Sequence, residues 1–300
     1  MGGVMVASAL FETTVSGWSE VALLGAMGLI LGIVSGLFGV GGGFLSTPLL
    51  NIFFRKDYPL AIGTTLSFIL GTSAVGVASH WRLGHVNLKA VALIAIGSIA
   101  GVLVGDAVLH VMQAQFGQQY TNVMHVLFIV LLMAVALRIT RGQVTNKDRD
   151  GLLKRLPIGP HVDLGNDRHL KHLSAPGLAG VGFCGGMLAG GMGIGGGVLI
   201  VPILVVTVGL PVHEAIGTSL GVLLLSATVA VVKKGWVGEV DLGIGMSLLI
   251  GSSIGAQIGV SICNKLHAHR LRRYFAYLVC LVAAMIAAKL AGLIPGPGAP

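Results

Sequence analysis

The stretch "GLFGVGGGFLSTPLL", Gly36 to Leu50, sets four glycines within five residues, Gly39 and Gly41 to Gly43, and follows them with Pro48. Glycine in a helix interior costs roughly 1 kcal/mol relative to alanine, and proline about 3. Such a run inside an apolar segment needs a reason. The run "GGMGIGGGVLIVPIL", Gly190 to Leu204, repeats the pattern 154 residues later. With that shift the two halves register without a gap over some 80 residues. Gly36, Gly39, Gly41, Gly42, Gly43, Leu45 and Pro48 fall on Gly190, Gly193, Gly195, Gly196, Gly197, Leu199 and Pro202. "AIGTTL" (Ala61–Leu66) falls on "AIGTSL" (Ala215–Leu220), and Gly97, Ser98, Gly101 and Gly105 fall on Gly251, Ser252, Gly255 and Gly259. Glycine abundance gives scattered matches, not a continuous register through a proline and a tetrapeptide.

The surroundings are membrane-like. The chain has 300 residues, 54% hydrophobic and 10% charged, whereas soluble domains carry about a quarter charged residues. Apolar blocks fall at roughly 18–38, 44–54, 60–79, 88–111, 122–139, 175–190, 196–210, 213–232, 240–263 and 271–292. Uncharged blocks near 20 residues read as membrane-spanning helices. The fold expected is all-α and polytopic, with repeats at 18–140 and 175–292 joined by a polar linker, 141–174. The start of the chain lacks the pattern of a cleaved signal peptide. The net charge of +8 reflects basic loops beside a membrane, so no nucleic-acid partner is expected. Cys184, Cys263 and Cys280 have no metal-ligand spacing and read as packing residues.

Lys and Arg accumulate on the cytoplasmic side. Residues 138–174 and 264–273 are rich in both, while 112–121 and the N-terminal tail have neither. This places the linker inside and the N-terminus outside, with Arg55, Lys56, Lys233 and Lys234 as exceptions. Each half then makes an odd number of crossings: five if the glycine turn joins two full helices, three if it is a re-entrant tip. Either way the second half enters upside down. Inverted repeats of about four to five helical segments each, glycine-broken near the midplane, are how many secondary transporters are built.

The segments after Gly43 and Gly197 are short of a full crossing. Unwound backbone within a membrane is tolerated where it is buried in protein or lines a cavity. Consecutive glycines let N–H groups approach a ligand where a helix begins with its positive end. Gly41, Gly42, Gly43, Gly195, Gly196 and Gly197 are therefore the candidate anion donors. Thr64, Thr65, Ser67, Thr218 and Ser219 stand at the starts of apolar helices, either as caps or as ligands to an oxyanion; Ser46 and Thr47 are weaker candidates. The ladders Gly97, Gly101, Gly105 and Gly251, Gly255, Gly259 read as close helix packing. Asp106, the acidic residue deep in an apolar segment, is a candidate proton-coupling site, or else faces water or His110 near its helix end. His80, His85, His125 and His213 flank segment ends and are expected at the interface; Arg82, Lys233 and Lys234 are expected to snorkel to headgroups. No catalytic constellation, metal cluster, cofactor motif or phosphate loop is present, so an enzyme is not expected.

At these residues the chain resembles the TauE/SafE sulfite exporter family. "SGLFGVGGGFLSTPLL" with "AIGTTL", and "AGGMGIGGGVLIVPIL" with "AIGTSL", carry the resemblance, which spans about 20–292. It implies a multi-pass inner-membrane permease exporting a small anion such as sulfite, or an organosulfonate such as sulfoacetate, by alternating access, with the lipid bilayer and a homodimer as partners. The residues themselves give only a small anion held by backbone donors and hydroxyls. A passive anion channel, a permease for another organic anion or a cation, and a membrane scaffold stay open.

Overall fold

In lipid a backbone has no water to bond, so each apolar block must close its hydrogen bonds internally as a helix. The computed structural model describes residues 18–54, 56–141, 160–164 and 173–291. The first half comprises α1 (Trp18–Phe38), α2 (Gly43–Ile52), α3 (Tyr58–Arg82), α4 (Leu88–Phe116) and α5 (Tyr120–Arg141). The second repeats the order with α6 (Ala175–Met192), α7 (Gly197–Ile203), α8 (Val212–Trp236), α9 (Leu242–Lys265) and α10 (Ala268–Leu290). Eight of these, all but α2 and α7, are long and apolar enough to cross a membrane. The short pair begin at the glycine runs and carry Pro48 and Pro202 inside. After Pro202 the backbone widens into a π-helical turn, Leu204–Val208, as expected where proline removes a donor.

Two of the long helices, α4 and α9, start with side-chain caps at matching places. Asn87 accepts from Ala90 N before α4, and Asp241 accepts from Ile244 N before α9, each at 3.1 Å. Their outer faces present apolar side chains: Ile96 and Ile250, 154 positions apart, are each 67% exposed, as lipid-facing residues would be. In the linker, β1 (His161–Val162) pairs with β2 (Leu173–Ser174) in an antiparallel ribbon. Asn87 Nδ2 donates to Leu164 O at 2.8 Å, tying the ribbon to the start of α4.

The halves exchange helices. α1 packs along α9, and α6 along α4. A Cβ on Gly28, Gly32 or Gly36 would strike the backbone of Leu248, Ser252 or Ala256; one on Gly251, Gly255 or Gly259 would strike Gly25, Leu29 or Ile33. The α4–α6 contact is the same 154 positions away: Gly97, Gly101 and Gly105 meet Ala179, Phe183 and Met187, and Gly182, Gly186 and Gly190 meet Ile94, Ser98 and Val102. The ladders expected from sequence are thus packing surfaces. Their partners, the glycines of α1 and α6, form ladders of the same four-residue spacing.

These contacts fix directions. Residue numbers rise together along α1 and α9, so the two are parallel, and likewise α4 and α6. α3 is parallel to α9, with Gly63 at Glu239 and Gly71 at Leu249. It is antiparallel to α8, its own counterpart: Gly63 meets Lys234, Gly76 meets Leu220, and His80 meets Gly217. Since α1 and α3 point the same way, α2 and its connector to α3 return the chain between them. α1 ends level with Ala256 and Val260 while α9 continues to Lys265. The first glycine turn therefore lies within the bundle.

Candidate functional site

The two glycine turns meet. Gly39, Gly41 and Gly42 have φ of +70°, +73° and +75°, and Gly193, Gly195 and Gly196 have +68°, +83° and +64°. These left-handed values are open to glycine at little cost. A Cβ on Gly43 would lie 2.6 Å from Gly193 O, and one on Gly197 would lie 2.6 Å from Gly39 O. The start of each short helix thus abuts the carbonyl end of the long helix from the other half. Thr47 Oγ1 donates to Gly193 O at 3.1 Å and Ser219 Oγ to Gly39 O at 2.5 Å, closing the crossing from both sides. All of Gly39–Gly43 and Gly193–Gly197 are buried.

Among the described residues, the N–H groups of Gly41, Gly42 and Gly43, and those of Ile194, Gly195 and Gly196, enter no backbone hydrogen bond. Ser35 Oγ, one turn before Gly39, is buried and has no partner. Donors without acceptors at a buried crossing are costly. They are also the means by which a protein binds an anion without a fixed charge.

The hydroxyl candidates divide. Thr64 Oγ1 accepts from Asp241 N at 3.0 Å, and Thr218 Oγ1 from Asn87 N at 3.1 Å. Both stand 154 positions apart, serving the N-cap residue of the helix from the other half, so each braces the fold. Thr65 and Ser46 bond one another at 2.9 Å, and Ser67 Oγ returns to Thr64 O at 2.7 Å. Among Thr64, Thr65, Ser67, Thr218 and Ser219, only Ser219 bonds a glycine turn directly; the weaker candidate Thr47 does so from the other half.

The lysines differ from expectation. Rather than snorkelling, Lys234 is 3% exposed, with Nζ 2.6 Å from Glu239 Oε2 and 2.7 Å from Asp106 Oδ1. The Glu239 contact is an aligned hydrogen bond; the Asp106 contact is an ion pair without that alignment. Lys233 Nζ lies 2.7 Å from Asp106 Oδ2, and Lys56 Nζ lies 3.5 Å from Asp241 Oδ2. Asp106 is thus bound by two cations from the opposite half, whereas His110 faces Glu239 at 3.4 Å. Asp106, His110 and Glu239 come close enough to be read as a metal site, but the two ammonium groups already neutralise it. Arg55 lies outside the described residues. The interfacial expectation also fails for His80 and His125, each 1% exposed. Sequence reading could not show this, because their cover comes from distant segments: His80 lies against Gly36 of α1 and Gly217 of α8, and His125 against Tyr58 of α3. The cysteines are free, with Cys263 buried and Cys184 and Cys280 on the outer surface.

The sulfite exporter TauE/SafE family profile matches residues 24–286. A "Probable membrane transporter protein YjnA" of Bacillus subtilis is 31% identical over 84% of this chain and 94% of its own length. A "Probable membrane transporter protein" of Xylella fastidiosa is 27% identical over 89% of this chain and 95% of its own. The "Sulfite exporter TauE/SafE family protein 1" of Arabidopsis thaliana is 31% identical over 44% of this chain and 29% of its own. No solved structure matches. With the doubled glycine motif, the exchanged helices and a match over nearly the whole bundle, the chain belongs to the TauE/SafE family of membrane transporters.

Proposed function

We propose that this transporter exports a small oxyanion, sulfite or an organosulfonate such as sulfoacetate, across the inner membrane by alternating access. The carrying observation is the central crossing, where N–H groups from both halves lie unpaired among left-handed glycines. Gly41 to Gly43 with Gly195 and Gly196 are the donors; Gly197, expected among them, instead donates its N–H to Gly195 O at 2.6 Å, and Ser219 is the hydroxyl best placed to join them. The choice of sulfur oxyanion rests on the family's name; the crossing itself supports a small anion.

Opposed directions of matching helices support an inverted repeat, in which rocking of one half against the other exposes the crossing first to one face and then to the other. In the arrangement described the crossing is buried, which fits an occluded state. The proposed orientation keeps the linker cytoplasmic. It also accounts for the basic residues on the outer face, since Lys56, Lys233 and Lys234 all have carboxylate partners.

The test is binding followed by transport. Sulfite or sulfoacetate, but not matched chloride, should raise the thermal unfolding temperature of the purified protein. Proteoliposomes should then show counterflow of labelled substrate, which a passive channel does not. Intact transport in the variant carrying Gly42→Ala and Gly196→Ala would overturn the site.

A further inference from the structure

The crossing leaves unused three histidines at one end of the bundle. His80, in the last turn of α3, has Nδ1 3.3 Å from Nδ1 of His85 in the α3–α4 turn. Its Nε2 lies 3.5 Å from the carbonyl of Gly36, just before the first glycine turn. The His85 ring lies against that of His213, with centroids 5.5 Å apart. His213, in the first turn of α8, donates from Nε2 to Cys263 O on α9 at 3.0 Å. Four helices, α1, α3, α8 and α9, are joined here by imidazoles.

The other end shows what this position does in the second half. A shift of 154 carries His80 onto Lys234 and His85 onto Glu239. The turns match: His85 N donates to His80 O at 3.0 Å, and Glu239 N to Lys234 O at 2.9 Å. Gly217 packs under His85 as Gly63 packs under Glu239. One end is therefore closed by the Lys234–Glu239 ion pair, with His110 3.4 Å from Glu239. The other is closed by two imidazoles whose contact needs an unprotonated Nδ1 on one ring. A proton taken from water onto that lone pair ends the hydrogen bond and sets a cation against the neighbouring ring; a further proton on the other ring sets two cations face to face.

Burial, with His213 nearby, holds the His85 imidazole below its ordinary value. The charged and titratable groups on the surrounding elements are Arg82 on α3, Glu214 beside His213 on α8, Cys263 and Lys265 on α9, Lys89 on α4 and Asp163 in the linker; α1 carries only Glu20, at its far end. The groups in ring or hydrogen-bond contact with His80 are His85 and the Gly36 carbonyl, neither a carboxylate.

We propose that His80, His85 and His213 form a proton-binding site that couples protons to opening of this end of the transporter, a reading that rests on alternating access. Opening hydrates the rings, so the open form binds protons more tightly, and acid drives this end open while the ion-paired end stays shut.

Hydrogen exchange on the full chain in lipid nanodiscs tests this. Between pH 7.5 and 5.5, after correction for intrinsic rates, exchange over residues 80–90 and 212–219 should rise by up to about tenfold per pH unit, the limit for one linked proton. Residues 234–243 should respond less, His110 against Glu239 being the one imidazole described there. The variant with His80→Gln and His85→Gln should lose the response, with the ion-paired end reporting that it is folded. An equal response at both ends, none at the histidine end, or a response surviving in the variant overturns the proton site. If sulfite raises exchange at either end while pH has no effect, alternating access stands and the proton site falls.

Discussion

At the scale of single residues, the consequential side chains are those whose partners come from the opposite half. Asp106 holds Lys233 and Lys234, and Glu239 keeps a second hold on Lys234. Losing one partner of a buried pair costs about 3–5 kcal/mol when the survivor is stranded. Asp106→Asn should cost less, about 2–3 kcal/mol, because Glu239 remains. Thermal unfolding in detergent checks it, and an unchanged midpoint would show that the pair contributes nothing. Thr64 and Thr218 give a sharper comparison. Thr64→Val or Thr218→Val strands one N–H, of Asp241 or Asn87, for about 1–3 kcal/mol. If the halves are equivalent here, the two losses should agree. The Asp106 charge was visible in the sequence as an oddity, but its partners were not. No local pattern says that Lys233 and Lys234 reach across to another repeat.

At the scale of elements, four-residue glycine spacing decides how closely helices approach. Gly101 and Gly255 were legible as packing residues because their ladders are regular and doubled. The matching ladders on α1 and α6 are regular too, but α1 ends in the glycine turn and α6 is glycine-rich throughout, which hid them. α6 supplies its own control. Gly186→Ala would drive a methyl into the Ser98 carbonyl, whereas a methyl at Gly180 meets nothing within 4 Å. The first should destabilise the protein by about 1–3 kcal/mol, as overpacking does, or prevent its accumulation in the membrane. The second should be neutral or slightly stabilising, since alanine is the better helix former. Equal effects from the two substitutions would mean that the α4–α6 contact does not hold the halves together.

At the scale of the whole molecule, the proposed inverted repeat and the helix directions have to agree, and the two are read by separate routes. Sequence supplied the 154-residue register and, through parity, the expectation that the second half is turned over. The packing supplied opposed directions for α3 and α8 without reference to charge. The parity came from the same charge bias that puts the basic linker inside, whereas the packing is silent on which face is cytoplasmic; the proposed orientation rests on that linker. Leu83 and Val237 test both points at once. They occupy the same place in the turns after α3 and α8 and are 42% and 62% exposed, so a cysteine at either is reachable from solution. In a background with Cys184, Cys263 and Cys280 replaced by alanine, a membrane-impermeant maleimide added to intact cells with a permeable outer envelope should label Val237→Cys and spare Leu83→Cys. Inside-out vesicles should give the reverse. Labelling of both from one face would end the inverted arrangement. A clean exchange of the two faces would keep the inversion and overturn the cytoplasmic linker, moving the histidine end, and the pH it senses, to the outside.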